Sequence, residues 1–169
     1  MRIRLLAPLV VVALAVAVLA SPAAEAGAAK TCPTSGLVAL AEVPGSGTAG
    51  SVVYRLELTN LSGSTCTVSG YPKVSAVSLE GRRIGAVATR APGRKVRPVR
   101  LTQGESATAT LQIVEALNYP PSECRPTWAA GVRISVPGSP GSRIAPLAFQ
   151  TCALAGVRIL SVGPVTAAD

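Results

Sequence analysis

The chain has 169 residues, with 16 lysines and arginines against 8 acidic residues, four cysteines, five aromatic residues and no histidine. The absence of histidine excludes catalytic centres of the Ser-His-Asp and Cys-His types, and zinc or haem sites that depend on histidine ligands. The length fits a single domain of ordinary size.

The N-terminus has the pattern of a secretory signal peptide. A short cationic start precedes an apolar run over residues 5–20, which leads into the small residues of 21–28. This order is typical of exported proteins. A membrane anchor is the alternative, but the run has 16 residues and contains Pro8, whereas a membrane span needs about 18 or more apolar residues.

We therefore expect residues 1–26 to be a signal peptide, with cleavage after residue 26 or residue 28. A short lead over 27–35 and one domain over 36–166 follow. No later stretch is long and apolar enough to span a bilayer. The mature protein is expected to be secreted, either extracellular or associated with the cell wall.

Alternation with a period of two predicts an all-β domain. Residues 51–59, 106–113 and 132–136 each place apolar side chains on one face of an extended strand. Further strands are predicted over residues 37–43, 73–79, 84–89, 96–101, 143–149 and 157–165. Turn-rich segments separate these strands without intervening helices, which predicts antiparallel sheets packed as a β-sandwich.

The one long interruption runs from Glu115 to Thr127 and contains three prolines. It is expected to be a loop or a single helical turn. Tyr119 and Trp128 flank its proline-rich part, and their rings are expected to cover an open end of the sandwich. An exposed aromatic pair that binds carbohydrate or protein is the alternative.

The four cysteines, Cys32, Cys66, Cys124 and Cys152, are expected to form two disulfides. The closest two are 28 positions apart, which argues against the close pairs of a zinc site, and an even number in an exported chain is typical of disulfides. One pair of cysteines flanks the first predicted hairpin and the other flanks a hairpin that turns at 137–142. We therefore predict that Cys32 pairs with Cys66 and Cys124 with Cys152.

The segment from Leu58 to Pro72 reads Leu-Thr-Asn-Leu-Ser-Gly-Ser-Thr-Cys-Thr-Val-Ser-Gly-Tyr-Pro. It resembles a family of secreted actinobacterial proteins that is catalogued as a domain of unknown function. Members have a strand ending in Thr-Asn, a Ser/Gly turn and then Cys-Thr-Leu-x-Gly-Tyr-Pro, with Val68 standing here for the usual Leu. The similarity continues through residues 101–107 and from Cys124 to Cys152.

This resemblance implies an immunoglobulin-like antiparallel β-sandwich in the cell envelope or medium, with no known catalytic activity and no functional residues to transfer. Gly70, Tyr71 and Pro72 have a structural interpretation: a turn, a half-buried ring and the entry to an edge strand. Asn60 begins an Asn-x-Ser pattern, and glycosylation there is not expected in a bacterial product.

The excess of positive charge lies in one segment. Residues 82–100 carry seven basic residues and no acid, while the rest of the chain after residue 26 has seven of each sign. We predict that the segment forms a basic hairpin. Its candidate anion-binding residues are Arg82, Arg83, Arg94, Lys95, Arg97 and Arg100. The alternative is a solvated hairpin whose arginines only maintain solubility.

Such a surface suits an anionic cell-wall polymer or an envelope protein. The segment contains no aromatic residue on which a base could stack, and nucleic acid is not an expected partner. The sequence does not indicate an oligomeric state.

The acidic residues give no pattern typical of catalysis or of calcium binding. No serine lies in a known catalytic motif that would supply it with a partner base. The chain is therefore predicted to be non-enzymatic, without cofactor or metal. We expect an interaction or adhesion module at the bacterial cell envelope. The alternative is a secreted protease inhibitor that presents the loop from Glu115 to Thr127.

Overall fold

Strands with alternating burial build two packed sheets. The structure, a computed structural model, describes residues 30–42, 47–92 and 95–168. The predicted signal peptide lies outside these residues. The strands are β1 (Leu37–Glu42), β2 (Gly47–Thr48), β3 (Ser51–Asn60), β4 (Cys66–Val68), β5 (Lys73–Val77), β6 (Arg83–Val87), β7 (Thr89–Arg90), β8 (Val99–Leu101), β9 (Ser106–Val114), β10 (Pro126–Ser135), β11 (Arg143–Cys152), β12 (Leu160–Val162) and β13 (Thr166–Ala167).

Helical structure in the described ranges is confined to three short turns. Two are 3₁₀ turns, Thr34–Gly36 and Ala116–Asn118, and the third is the four-residue helix α1 (Pro121–Cys124). The last two lie in the long segment before β10, where a loop or helical turn was predicted. No helix in the described part of the chain has the length and apolar character to cross a membrane.

The first sheet is centred on β3 and β9, which pair antiparallel over nearly their whole length. β1 extends it beyond β3, β12 extends it beyond β9, and β7 follows as a parallel neighbour of β12. Tyr54, Leu56 and Leu58 are buried along β3, and Arg55 between them is exposed. The structure thus confirms the face of β3 that the alternation predicts to be buried.

The second sheet has the order β11-β10-β5-β6 and is antiparallel throughout. Val74 of β5 and Val132 and Ile134 of β10 belong to the same buried cluster as Leu56 and Leu111 of the first sheet. One hydrophobic core therefore lies between two sheets, and the predicted immunoglobulin-like β-sandwich is confirmed.

Both disulfides have the predicted connectivity. Cys32 is joined to Cys66 at the start of β4, and Cys124 at the end of α1 is joined to Cys152 at the end of β11. All four cysteines are buried. Two disulfides are consistent with an oxidising, extracellular environment.

The prediction that residues 82–100 form a hairpin is wrong. β6 pairs with β5 in the second sheet, β7 pairs with β12 in the first, and β8 pairs with β4 in a separate short ladder. The chain thus passes between three ladders within this segment. Pro92 and Pro98 lack the amide hydrogens that a continuous hairpin would need.

Pro72 does not lead into an edge strand, because β5 lies between β10 and β6. The first paired residue of β5 is Lys73, so the missing amide hydrogen of Pro72 breaks no bond in the ladder. Gly70 has the expected positive φ, +88°.

β4 is absent from the predicted strands, because three residues are too few to show an alternation.

Candidate functional site

A cleft with a basic lining lies on the second sheet, on the face directed away from the core. β5, β6, β10 and the turn before β11 form it, and its volume is about 440 Å³. Small-molecule sites usually measure about 300–1,000 Å³. The polar residues that line this basic cleft are Lys73, Ser75, Arg83, Arg133, Ser135 and Ser142.

The register of β5 against β10 brings two of the cations together. Lys73 lies opposite Ser135, and Ser75 lies opposite Arg133. Directly opposed residues have Cβ atoms about 4.5–5.5 Å apart, and residues two apart on a strand share a face. Each strand therefore contributes one cation and one serine to the same side of the sheet.

The third cation, Arg83, comes from β6 on the other side of β5. It is exposed, as is Lys73, and the described residues provide neither side chain with a hydrogen bond or an ion pair. Arg133 is half-buried and donates from Nη2 to the carbonyl of Gly81 in the turn between β5 and β6. This bond holds one guanidinium beside the turn and leaves its other N–H groups available.

No acidic side chain in the described ranges lines the basic cleft. The ion pair that the structure shows in these ranges, Arg55 to Glu42 at 2.6 Å, is on the first sheet. Three uncompensated cations and three serine hydroxyls can all donate hydrogen bonds. The arrangement suits an anion with several acceptor oxygens, such as a phosphate group.

Only one of the six residues predicted to bind an anion lines this cleft, namely Arg83. Arg82, Lys95 and Arg97 are exposed outside it. Arg100 lies in a shallow pocket that also includes Glu105. Arg94 lies outside the described residues. The described members of the predicted anion-binding set therefore do not converge on a single cleft.

Arg90, a further cation of the segment, has a partner of its own. Its guanidinium carbon lies 5.3 Å from the centre of the Tyr71 ring, within the range of a cation–π contact. This contact gives Tyr71 a structural role beside its half-buried position.

The sequence analysis did not predict Lys73 and Arg133 as site residues. Both lie outside residues 82–100, in the part of the chain after residue 26 whose charges sum to zero. A signal was present: Lys73 with Ser75, and Arg133 with Ser135, each form a cation–x–serine pattern at the outward positions of a strand. Only the pairing of β5 with β10 makes these two patterns neighbours.

Trp128 does not cover the end of the sandwich, because this residue is 66% exposed. It lines a second, open cleft of about 410 Å³ beside the turn Ala116–Asn118. Tyr119 is half-buried and packs against the hydrophobic core. The two aromatic residues that flank the proline-rich part of the loop therefore have different roles.

Acidic side chains are dispersed. In the described ranges no three His, Cys, Asp or Glu residues are close enough to hold a metal ion. The hydroxyl of Ser78 donates to Oε2 of Glu80 at 2.7 Å. That bond, together with a backbone hydrogen bond and the charge of Arg82, lowers the pKa of the Glu80 carboxyl below its ordinary value.

Residues 32–166 match the model of a family described as a domain of unknown function, DUF4232. The chain belongs to this family. The matched region contains all four cysteines and the three cations of the basic cleft. No curated protein matches the chain. The actinobacterial origin and the secretion that the sequence indicates stay predictions.

Proposed function

We propose that the protein is a secreted, non-enzymatic binding domain of the bacterial cell envelope that holds an anionic cell-wall polymer in the basic cleft. The observation that carries the proposal is the convergence of Lys73, Arg83 and Arg133 on a cleft without an acid. Polymers whose repeating units contain phosphate are the natural ligands for such a site.

The charge arrangement supports a ligand with the opposite sign. Like charges that share a site repel one another, and a bound anion would relieve that repulsion. The serine hydroxyls of Ser75, Ser135 and Ser142 add neutral donors around the three cations. Hydrogen bonds in which one partner is charged are about twice as strong as neutral ones.

Three of the acids have local partners, which supports a role without catalysis at these positions. Glu42 is paired with Arg55, Glu80 accepts from Ser78, and Glu105 accepts from the backbone amide of Thr102 at 2.7 Å. Glycoside hydrolysis needs two carboxyl groups on either side of one substrate bond. These three carboxylates each have a local structural partner instead.

A protease inhibitor is less well supported. The segment from Glu115 to Thr127 is folded into the turn Ala116–Asn118 and the helix α1, and Cys124 within it is buried in a disulfide. A substrate-like inhibitor would present an extended backbone to the enzyme. Lack of inhibition of subtilisin-like and trypsin-like proteases by the oxidised protein would remove this alternative.

The proposal is tested by retention of the oxidised protein on isolated bacterial cell wall, measured across a salt series. The variant Lys73→Gln/Arg83→Gln removes two charges from the basic cleft. Arg82→Gln/Arg97→Gln removes the same charge from exposed positions outside it. We expect the first variant to weaken retention by about tenfold or more, because charge-assisted hydrogen bonds contribute about 1.5–3 kcal/mol each.

The second variant should retain binding close to that of the original protein. Acid extraction of the phosphate-containing polymers should abolish retention, and rising salt should weaken it. Equal losses in the two variants, or retention that neither extraction nor salt changes, would contradict the proposed site.

A further inference from the structure

The cleft beside Trp128 is a second candidate binding site, independent of the basic cleft. It opens where the edge strand β11 passes the 3₁₀ turn Ala116–Asn118. Its floor is apolar, with Tyr54, Ile113 and Phe149 almost completely buried beneath it. Its volume of about 410 Å³ is sufficient for a ligand of one or two rings.

One wall of the Trp128 cleft is a flat aromatic surface. Trp128 is 66% exposed, although a residue of this size usually buries most of its area. An exposed ring beside a preformed cleft is a surface on which another ring can stack.

Two polar side chains complete the lining. Gln150 lies directly opposite Trp128 in the ladder between β10 and β11, and Glu115 lies at the start of the 3₁₀ turn. Neither side chain has a hydrogen-bonding partner in the described part of the chain. An amide supplies donors and acceptors, and a carboxylate supplies two acceptor oxygens.

We propose that this cleft binds a pyranose ring of a saccharide that carries no negative charge. The C–H face of a pyranose is weakly electropositive and complements the negative face of the indole. The hydroxyl groups at the edge of the ring match the amide of Gln150 and the carboxylate of Glu115.

The charge of the lining decides which saccharides fit. Glu115 is the only ionisable side chain with a full charge among the described residues that line the cleft, and no cation accompanies it. A uronate or a sugar phosphate would bring a second negative charge beside this carboxylate, which disfavours it. The cleft therefore selects neutral or amino sugars, the opposite preference to that of the basic cleft.

The experiment uses the fluorescence of Trp128, which is the only tryptophan in the chain. The oxidised protein is titrated with N-acetylated chitotriose, with cellotriose and with an oligogalacturonate of the same length. We expect a saturable change in emission with at least one of the two neutral trisaccharides. The oligogalacturonate should produce no change, and added salt should not alter the response.

Gln150→Ala tests the polar contact and leaves the indole in place. We expect it to weaken saccharide binding by about fivefold, which corresponds to one hydrogen bond of about 1 kcal/mol. Gln103→Ala is the matched control, because Gln103 is exposed in the turn before β9. This variant should bind as the original protein does.

Three results would overturn the inference. The first is no emission change with either neutral trisaccharide, and the second is equal binding of the oligogalacturonate. The third is an emission maximum that shifts in wavelength with protein concentration in the absence of sugar, which would place a second copy in the cleft. None of these three results bears on the basic cleft, because binding there is measured by salt-dependent retention on cell wall.

Discussion

The side-chain amide of Asn60 donates a hydrogen bond of 3.1 Å to the backbone carbonyl of Leu101, 41 residues later in the chain. The same amide also lies within bonding distance of the carbonyls of Ser64 and Thr102. Its oxygen accepts from the backbone N–H and the hydroxyl of Ser62. Asn60 is completely buried, so this side chain is unavailable for glycosylation in the folded protein.

Asn60→Ala should lower the free energy of unfolding by about 2–4 kcal/mol, because it leaves the buried carbonyl of Leu101 without this donor and removes the bonds to the part-buried carbonyls of Ser64 and Thr102. Equilibrium unfolding in urea, followed by circular dichroism, measures the loss. Ser62→Ala is the control, since it removes a hydroxyl from a half-buried turn and should cost about 1 kcal/mol. Equal losses in the two variants would mean that Asn60 does not organise this turn.

Gly85 in β6 should tolerate no side chain. Its φ is +60°, and a Cβ atom added there would overlap the carbonyl oxygen of Cys152. Gly63 also has a positive φ, +78°, but nothing lies within 4 Å of its added Cβ. Gly63→Ala should therefore cost about 1 kcal/mol of stability from backbone strain alone.

Gly85→Ala should cost about 3 kcal/mol or more, since a steric overlap with the backbone is added to that strain. Thermal unfolding of the two variants under identical conditions makes the comparison. Similar melting temperatures would contradict the close approach of β6 to the end of β11.

The two disulfides should contribute almost equally to stability. They close loops with sequence separations of 34 and 28 residues. If a disulfide acts by lowering the entropy of the unfolded chain, each is expected to contribute about 3–4 kcal/mol to the free energy of unfolding. The small difference in loop length changes this contribution by only about a few tenths of a kcal/mol. Urea unfolding of Cys32→Ala/Cys66→Ala and of Cys124→Ala/Cys152→Ala tests the expectation. A variant that unfolds at the same urea concentration as the original protein would contradict it.

The ionisation of Glu80 should depend on Ser78. The hydrogen bond from Ser78 lowers the pKa of the Glu80 carboxyl, so the carboxylate stays ionised to a lower pH than an isolated glutamate. Ser78→Ala should raise this pKa towards its ordinary value. A pH titration of the Glu80 side-chain carbon signals by NMR measures the change. An unaltered titration would show that the backbone contact and Arg82 suffice.

Much of the sandwich could be predicted from local patterns. β3 and β9 are long enough for alternation to show which residues face the core, and Leu56 and Leu111 are fully buried as expected. The cysteines flank two predicted hairpins, and this placement was sufficient to predict both disulfides. Short strands were not predictable in this way, because β4 and β7 have three and two residues and exist only through partners distant in sequence.

The candidate site, like the fold, could be predicted only in part from the sequence. The sequence by itself determined that the chain is rich in β-structure, that its cysteines pair and that positive charge is concentrated in residues 82–100. Only the tertiary structure decided which cations meet. Lys73, Arg83 and Arg133 converge because β5 pairs with β6 on one side and with β10 on the other. Strand pairing of this kind depends on the packing of the whole core, and no local run of residues encodes it.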